Sequence, residues 1–166
     1  LKCLGYMSKF VINGGKKLSG EVKVAGSKNA VLACMAACLL TEEPCRLTNV
    51  PKIEDVETLS EIMRGLGVKV KRNNHELLIE AKDISGTTID SKLVSKLRGS
   101  ILLVGPLIVR LRKVSLPLPG GDKIGARPID THLEAFKALG VKAKTGNLIE
   151  FDGSGLQSNK IVLEET

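Results

Sequence analysis

The 166 residues suffice for one domain of ordinary size, and an apolar fraction of 43% excludes a disordered chain. Aromatic residues make up only 2%, so the core must be aliphatic, and the net charge of +7 leaves nucleic acid, an anionic membrane surface or small anions as partners. Nucleic acid is the weakest of the three, because Tyr6, Phe10, Phe136 and Phe151 are too scattered to form a stacking platform and no long basic block exists.

In chain order, "GEVKVAG" alternates like a strand, and "KNAVLACMAACLLT" reads as a helix that Ser27 can cap. Its apolar run, Ala30 to Leu40, is too short to span a bilayer, and no secretory signal pattern opens the chain. Cys34 and Cys38 lie one turn apart in that stripe and are expected to be buried thiols. With Cys3 and Cys45 they lack the neighbours a metal site needs, which points to a reduced, cytoplasmic protein. "CRLTNVP" reads as a strand. "EDVETLSEIMRG" reads as a helix whose Val56, Leu59, Ile62, Met63 and Leu66 share one face. Gly67 stands where a left-handed residue would end it, and "LGVKVKRNNHELLIEA" then reads as a hairpin.

The same order then recurs. "SKLVSKLRGSILLVGPLIVRL" reads as one helix and "KVSLPLP" as a strand. "PIDTHLEAFKA" reads as a helix with Ile129, Leu133, Phe136 and Leu139 on one face. Gly140 matches Gly67, and "LGVKAKTGNLIEFDG" is a second hairpin. The chain is therefore expected to be α/β, with a helix–strand–helix–strand–strand unit repeated at roughly seventy residues, longer than a solenoid unit. We divide it into residues 1–27 as an extension and strand, 28–83 as the first unit, 84–155 as the second, and 156–166, containing "SNKIVLEET", as the start of a third.

One connection differs between the copies. "NVPKIED" in the first becomes "LPLPGGDKIGARPID" in the second, and the added length falls on Gly120 to Gly125. Prolines stiffen its ends and glycines free its middle, as in a lid with Asp122 at the tip; a tolerated surface insertion is the other reading. In "VAGSKNAVL", the helix start and Lys28 can hold an anion, or form an ordinary capped end with a surface lysine. Arg98 lies in a helix that soon becomes wholly apolar. Arg127 precedes Pro128, which suits the first position of a helix. Asp130 and His132 fall in that helix's first turn, where Asp130 can simply serve the dipole and His132 can be exposed. His75 lies in a hairpin turn and has no assigned role. Lys28, Arg98 and Arg127, with an acid-tipped loop, suit a multiply charged anion, with Asp122 placed for proton transfer.

"GSKNAVL", "RLTNVPKIEDV", "LGVKV", "KLRGSILLVGPL" and "SLPLPGGDKIGARPIDTH" occur in order. From about Met7 onward the sequence strongly resembles the bacterial UDP-N-acetylglucosamine 1-carboxyvinyltransferases, a family of enolpyruvyl transferases, with Leu1 to Tyr6 outside the likeness. The "PGGDKIGARPIDTH" segment is the specific part; the "SKNA" box is shared with the shikimate-pathway enolpyruvyl transferase. The resemblance implies an inside-out α/β barrel domain of βαβαββ repeats, here two repeats and the start of a third. The segment before the "SKNA" box would cross into a second domain.

It also implies transfer of an enolpyruvyl group from phosphoenolpyruvate to the 3′-hydroxyl of UDP-N-acetylglucosamine, with release of phosphate, at the start of peptidoglycan precursor synthesis. No metal or organic cofactor, membrane or nucleic acid is implied. Lys28 and Arg127 resemble the phosphoenolpyruvate ligands, and Asn29 the residue that holds the sugar nucleotide. Arg98 resembles the arginine supporting the phosphate, and Pro128, Ile129, Asp130 and His132 the uridine shelf. Asp122 stands where most members carry cysteine. Either can protonate C3, but only a thiolate is readily alkylated by the epoxide of fosfomycin, so insensitivity to that drug is implied. The family's hydroxyl base and remaining phosphoenolpyruvate arginine belong to its other domain, so the chain is expected to need the missing C-terminal half of the enzyme. The shikimate-pathway transferase and a non-catalytic ligand-binding fragment are the alternatives.

Overall fold

The computed structural model describes residues 11–119 and 129–162. Helix α1 (Lys28–Ala37) begins at Ser27, whose extended backbone and Oγ, 3.4 Å from the Ala30 N–H, cap it. It tightens into a 3₁₀ turn at Cys38–Leu40, and the short strand β1 (Cys45–Leu47) follows. Helix α2 (Glu54–Gly65) carries Glu54, Asp55 and Glu57 in its first turn and Arg64 in its last, the arrangement the helix dipole favours. Its predicted face is buried: Val56, Leu59, Ile62, Met63 and Leu66 are each at most 2% exposed. Gly67 reverses the chain at φ +91°, and strands β2 (Lys69–Asn73) and β3 (Glu76–Glu80) form the first hairpin.

The second unit contains α3 (Ser91–Val94), a 3₁₀ segment Arg98–Leu103, α4 (Val104–Leu111), β4 (Lys113–Pro117), α5 (Asp130–Ala138), β5 (Lys142–Thr145) and β6 (Leu148–Asp152). Both sheets are antiparallel and share one strand order, β1-β3-β2 and β4-β6-β5. The registers correspond too. Leu47 faces Leu77 as Leu116 faces Ile149, and Cys45 faces Ile79 as Val114 faces Phe151. These alternate residues turn inward onto the helices, where Met35, Leu39, Leu59, Leu103 and Leu107 complete one aliphatic core. Arg110 ties the units together, donating to the carbonyls of Leu39 and Lys82 at 3.0 and 3.2 Å.

Four expectations need correction. "GEVKVAG" forms no strand; Val22 and Val24 are 89% and 83% exposed. A strand needs an edge to pair with. In the second unit the segment before the helix finds one, with Thr88 bridging Ser115 in parallel beside β4; residues 20–26 do not reach β1. The helix expected over Ser91 to Leu111 is broken. Asp90 caps α3 by accepting from Lys92 N–H at 2.7 Å, Leu97 turns extended at φ −129°, and a fresh helix starts two residues before Pro106, whose missing N–H fits only a first turn. Cys34 is exposed, and only Cys38 of the pair, which stands in the 3₁₀ turn after α1, is buried. Finally, the shared face of α5 is only half covered: Ile129, Leu133 and Phe136 pack against the core without being buried, with Phe136 edge-on to Phe151 at 5.4 Å. The likeness in sequence between "PIDTHLEAFKA" and "EDVETLSEIMRG" does not extend to equal burial.

Candidate functional site: a cationic cleft at two helix starts

The break at Leu97 has a consequence for chemistry. It ends one helix and begins the 3₁₀ segment with Arg98, which faces the start of α1. The two segments form a cleft of about 500 Å³ whose polar lining is Lys28, Asn29, Asp55, Lys96, Arg98 and His132. Leu32, Leu97 and Ile101 supply its apolar wall. Lys28 and Asn29 are the first two residues of α1, where backbone N–H groups have no acceptor within the helix. The field of the helix end and the three cations act in the same sense, and one carboxylate opposes them. That charge pattern suits a small anion.

Asp55, from the first turn of α2, lies 2.9 Å from the Lys28 ammonium. The two side chains are 34% and 55% exposed, so the pair is worth only about 0.5 kcal/mol and can open for a ligand. It directs the ammonium, and Lys96 and Arg98 also line the cleft.

Of the residues singled out in the sequence, Lys28, Asn29, Arg98 and His132 meet in this cleft, although Lys28 and Arg98 are seventy positions apart. Ile129 and Asp130 are not among its lining residues. The Ile129 carbonyl accepts from the His132 and Leu133 N–H groups at 2.9 and 3.1 Å, and so starts α5; Asp130 is exposed. Asp122, Arg127 and Pro128 lie outside the described residues. Sequence reasoning passed over Asp55 and Lys96. Both stood inside quoted motifs, "KIEDV" and "KLRG", but acids in a first turn and lysines on a helix are ordinary, and nothing local marked them. Among the described residues no thiol lines the cleft. Burial, with Cys45 close by, pushes Cys38 up to about 12, which leaves it inert at neutral pH. Among the described residues no group of metal-ligating side chains comes together, and no helix is long and apolar enough to cross a membrane.

A family model described as EPSP synthase (3-phosphoshikimate 1-carboxyvinyltransferase) matches residues 12–164. A UDP-N-acetylglucosamine 1-carboxyvinyltransferase of Prochlorococcus marinus (strain NATL1A) is 46% identical over 136 residues, covering 82% of this chain and 30% of the relative. One of Treponema pallidum (strain Nichols) is 41% identical over 160 residues, covering 96% and 38%. The chain thus spans about a third of the length of the curated relatives it matches. Among solved structures, the enolpyruvyl transferase NikO from Streptomyces tendae superposes with a TM-score of 0.75 at 23% identity, over 87% of this chain and 32% of that one. That likeness shows the fold.

Proposed function

From the premise that the chain belongs to the EPSP synthase family of enolpyruvyl transferases, we propose that it forms part of an enzyme moving an enolpyruvyl group from phosphoenolpyruvate to the 3′-hydroxyl of UDP-N-acetylglucosamine. Relatives named for that acceptor, at 40–46% identity, favour it over 3-phosphoshikimate. The reading rests on one observation above all: Lys28, Asn29 and Arg98 converge on a cleft at a helix start.

In this reading the phosphate and carboxylate of phosphoenolpyruvate are held by Lys28 and Arg127, with Arg98 behind the phosphate. An ammonium and guanidinium groups bind such oxygens with charge-assisted hydrogen bonds. Asn29 orients the sugar nucleotide, and Pro128, Ile129, Asp130 and His132 support its uridine. The 3′-hydroxyl adds to C2 while Asp122 gives a proton to C3; the tetrahedral adduct then expels phosphate, and the proton at C3 returns to the carboxylate. The cations stabilise the phosphate as its charge develops on leaving. The acceptor's base and a further arginine come from the rest of the longer protein, with the segment before Ser27 crossing to it, so these residues alone give no turnover. The product feeds cell-wall synthesis in the cytoplasm.

The test is phosphate release with both substrates, from the longer protein and from this chain. The longer protein should turn over, Lys28→Ala should lower its kcat/KM by at least about a hundredfold, and the chain alone should be silent. Release that needs shikimate 3-phosphate instead, or that survives Lys28→Ala, would overturn the reading.

A further inference from the structure

His75 and Arg72 line no part of the cleft, yet both reach into the connection between β1 and α2. The Val50 N–H donates to the His75 carbonyl at 2.8 Å, and His75 Nδ1 lies 3.0 Å from the Val50 carbonyl. A carbonyl only accepts, so Nδ1 carries the proton. The Arg72 guanidinium, its side chain 16% exposed, donates to the carbonyls of Pro51 and Asn74 at 3.0 and 3.1 Å and to Glu57 Oε1 at 2.7 Å. The tip of the first hairpin is thereby fastened to Val50, Pro51 and the first turn of α2.

What the fastened stretch touches connects it to function. Asn49 is left-handed at φ 55°, and its carbonyl faces Gly26, where any Cβ would collide with it. Gly26 directly precedes Ser27, the cap of α1, and so sets where Lys28 and Asn29 begin. At its other end the stretch runs straight into α2 and Asp55. Residues 49–51 therefore seat both helix starts, and the 2.9 Å contact between Lys28 and Asp55 reports their alignment. The second unit shows the contrast. Thr145 faces Ile149 as Arg72 faces Leu77, and Asn147 precedes β6 as His75 precedes β3. Thr145 brings no guanidinium to the tip of that hairpin, and the connection of that unit is the longer one in sequence.

We propose that Arg72 and His75 are positioning residues for the cleft: by fastening residues 49–51 to the hairpin tip, they hold Lys28 and Asn29 in register with Asp55 and Arg98. The proposal rests on the reading of the cleft as an anion site. A role confined to stabilising a loop is the competing account, and it predicts a lower melting temperature with unchanged affinity.

The test titrates the chain with inorganic phosphate and with phosphoenolpyruvate by calorimetry, at a temperature where every variant is folded, and follows the Lys28 backbone amide by NMR. One lost hydrogen bond corresponds to roughly threefold to tenfold, so His75→Ala should weaken phosphoenolpyruvate by about that factor and shift the Lys28 amide. His75→Asn, whose side-chain amide can stand in for Nδ1–H, should restore both. Arg72→Ala should do more, and if it unfolds, the His75 pair still decides the matter. Equal affinity in the native chain and His75→Ala, while Lys28→Ala does weaken binding, overturns the positioning role and spares the site. No binding, or binding indifferent to Lys28→Ala, overturns the site and the positioning role with it.

Discussion

Removing the carboxylate of Asp55 should strengthen the cleft's hold on an anion. The 2.9 Å pair it makes with Lys28 is half exposed and worth about 0.5 kcal/mol, so Asp55→Asn should leave the fold intact. The effect on a bound anion is larger, because Asp55 both competes for the ammonium and repels the ligand. Two charges about 6 Å apart at an effective dielectric of about 40 interact by about 1.4 kcal/mol. Side-chain adjustment removes part of that, leaving about 1 kcal/mol, or about a fivefold tighter dissociation constant for inorganic phosphate. Calorimetric titration at low ionic strength measures it. Repeating it near 1 M salt, where the screening length falls to about 3 Å, should erase most of the difference. An unchanged or weaker affinity at low salt, in a variant that melts like the native chain, would refute the view that charge governs this cleft.

Two glycines should respond with opposite signs. Gly140→Ala places a Cβ against the Gly155 carbonyl at φ +82°, so urea unfolding should show a loss of about 2 kcal/mol or more, the left-handed cost plus the displacement. Gly65→Ala, inside α2 with open space around it, should instead gain about 0.5 kcal/mol. Among the described thiols, iodoacetamide should label exposed Cys34 first and half-buried Cys45 next, and should reach Cys38, raised to about 12, only on unfolding; peptide mass spectrometry showing Cys38 modified as fast as Cys34 in the folded chain would contradict its burial. In the longer protein, native Asp122 should resist fosfomycin, because a carboxylate opens an epoxide far more slowly than a thiolate does, and Asp122→Cys should become sensitive while staying active. Time-dependent inactivation with mass analysis of the adduct checks this, and equally fast inactivation of the native enzyme through Asp122 would defeat it.

Local pattern determined the helices and hairpins. The apolar spacing of α2, the glycines at 67 and 140 and the alternation in both hairpins are short-range signals, and each produced the element it announced. The internal repeat was legible for the same reason, since two copies of one pattern fold into two sheets of one strand order. Lys28 and Arg98 stood out as cations at or on helices, while Asn29 and His132 drew their expected roles from the family resemblance. What the sequence left open depends on partners distant along the chain. Whether "GEVKVAG" pairs depends on an edge to pair with, and no property of Val22 or Val24 supplies one. The break at Leu97 arises because the capped start at Asp90 and the fresh start ahead of Pro106 belong to two helices that pack on different neighbours, α3 on α2 and α4 on the turn after α1. That break brings Arg98 to Lys28. Asp55 and Lys96 were invisible for a related reason. Their side chains are ordinary on their own helices, and only the packing of α1 against α2 and the 3₁₀ segment sets them in one field. Secondary structure is decided by neighbours within a turn or two. The charge in a cleft is decided by which helix ends the core holds together, a long-range outcome of burying Met35, Leu59 and Leu103 in one volume.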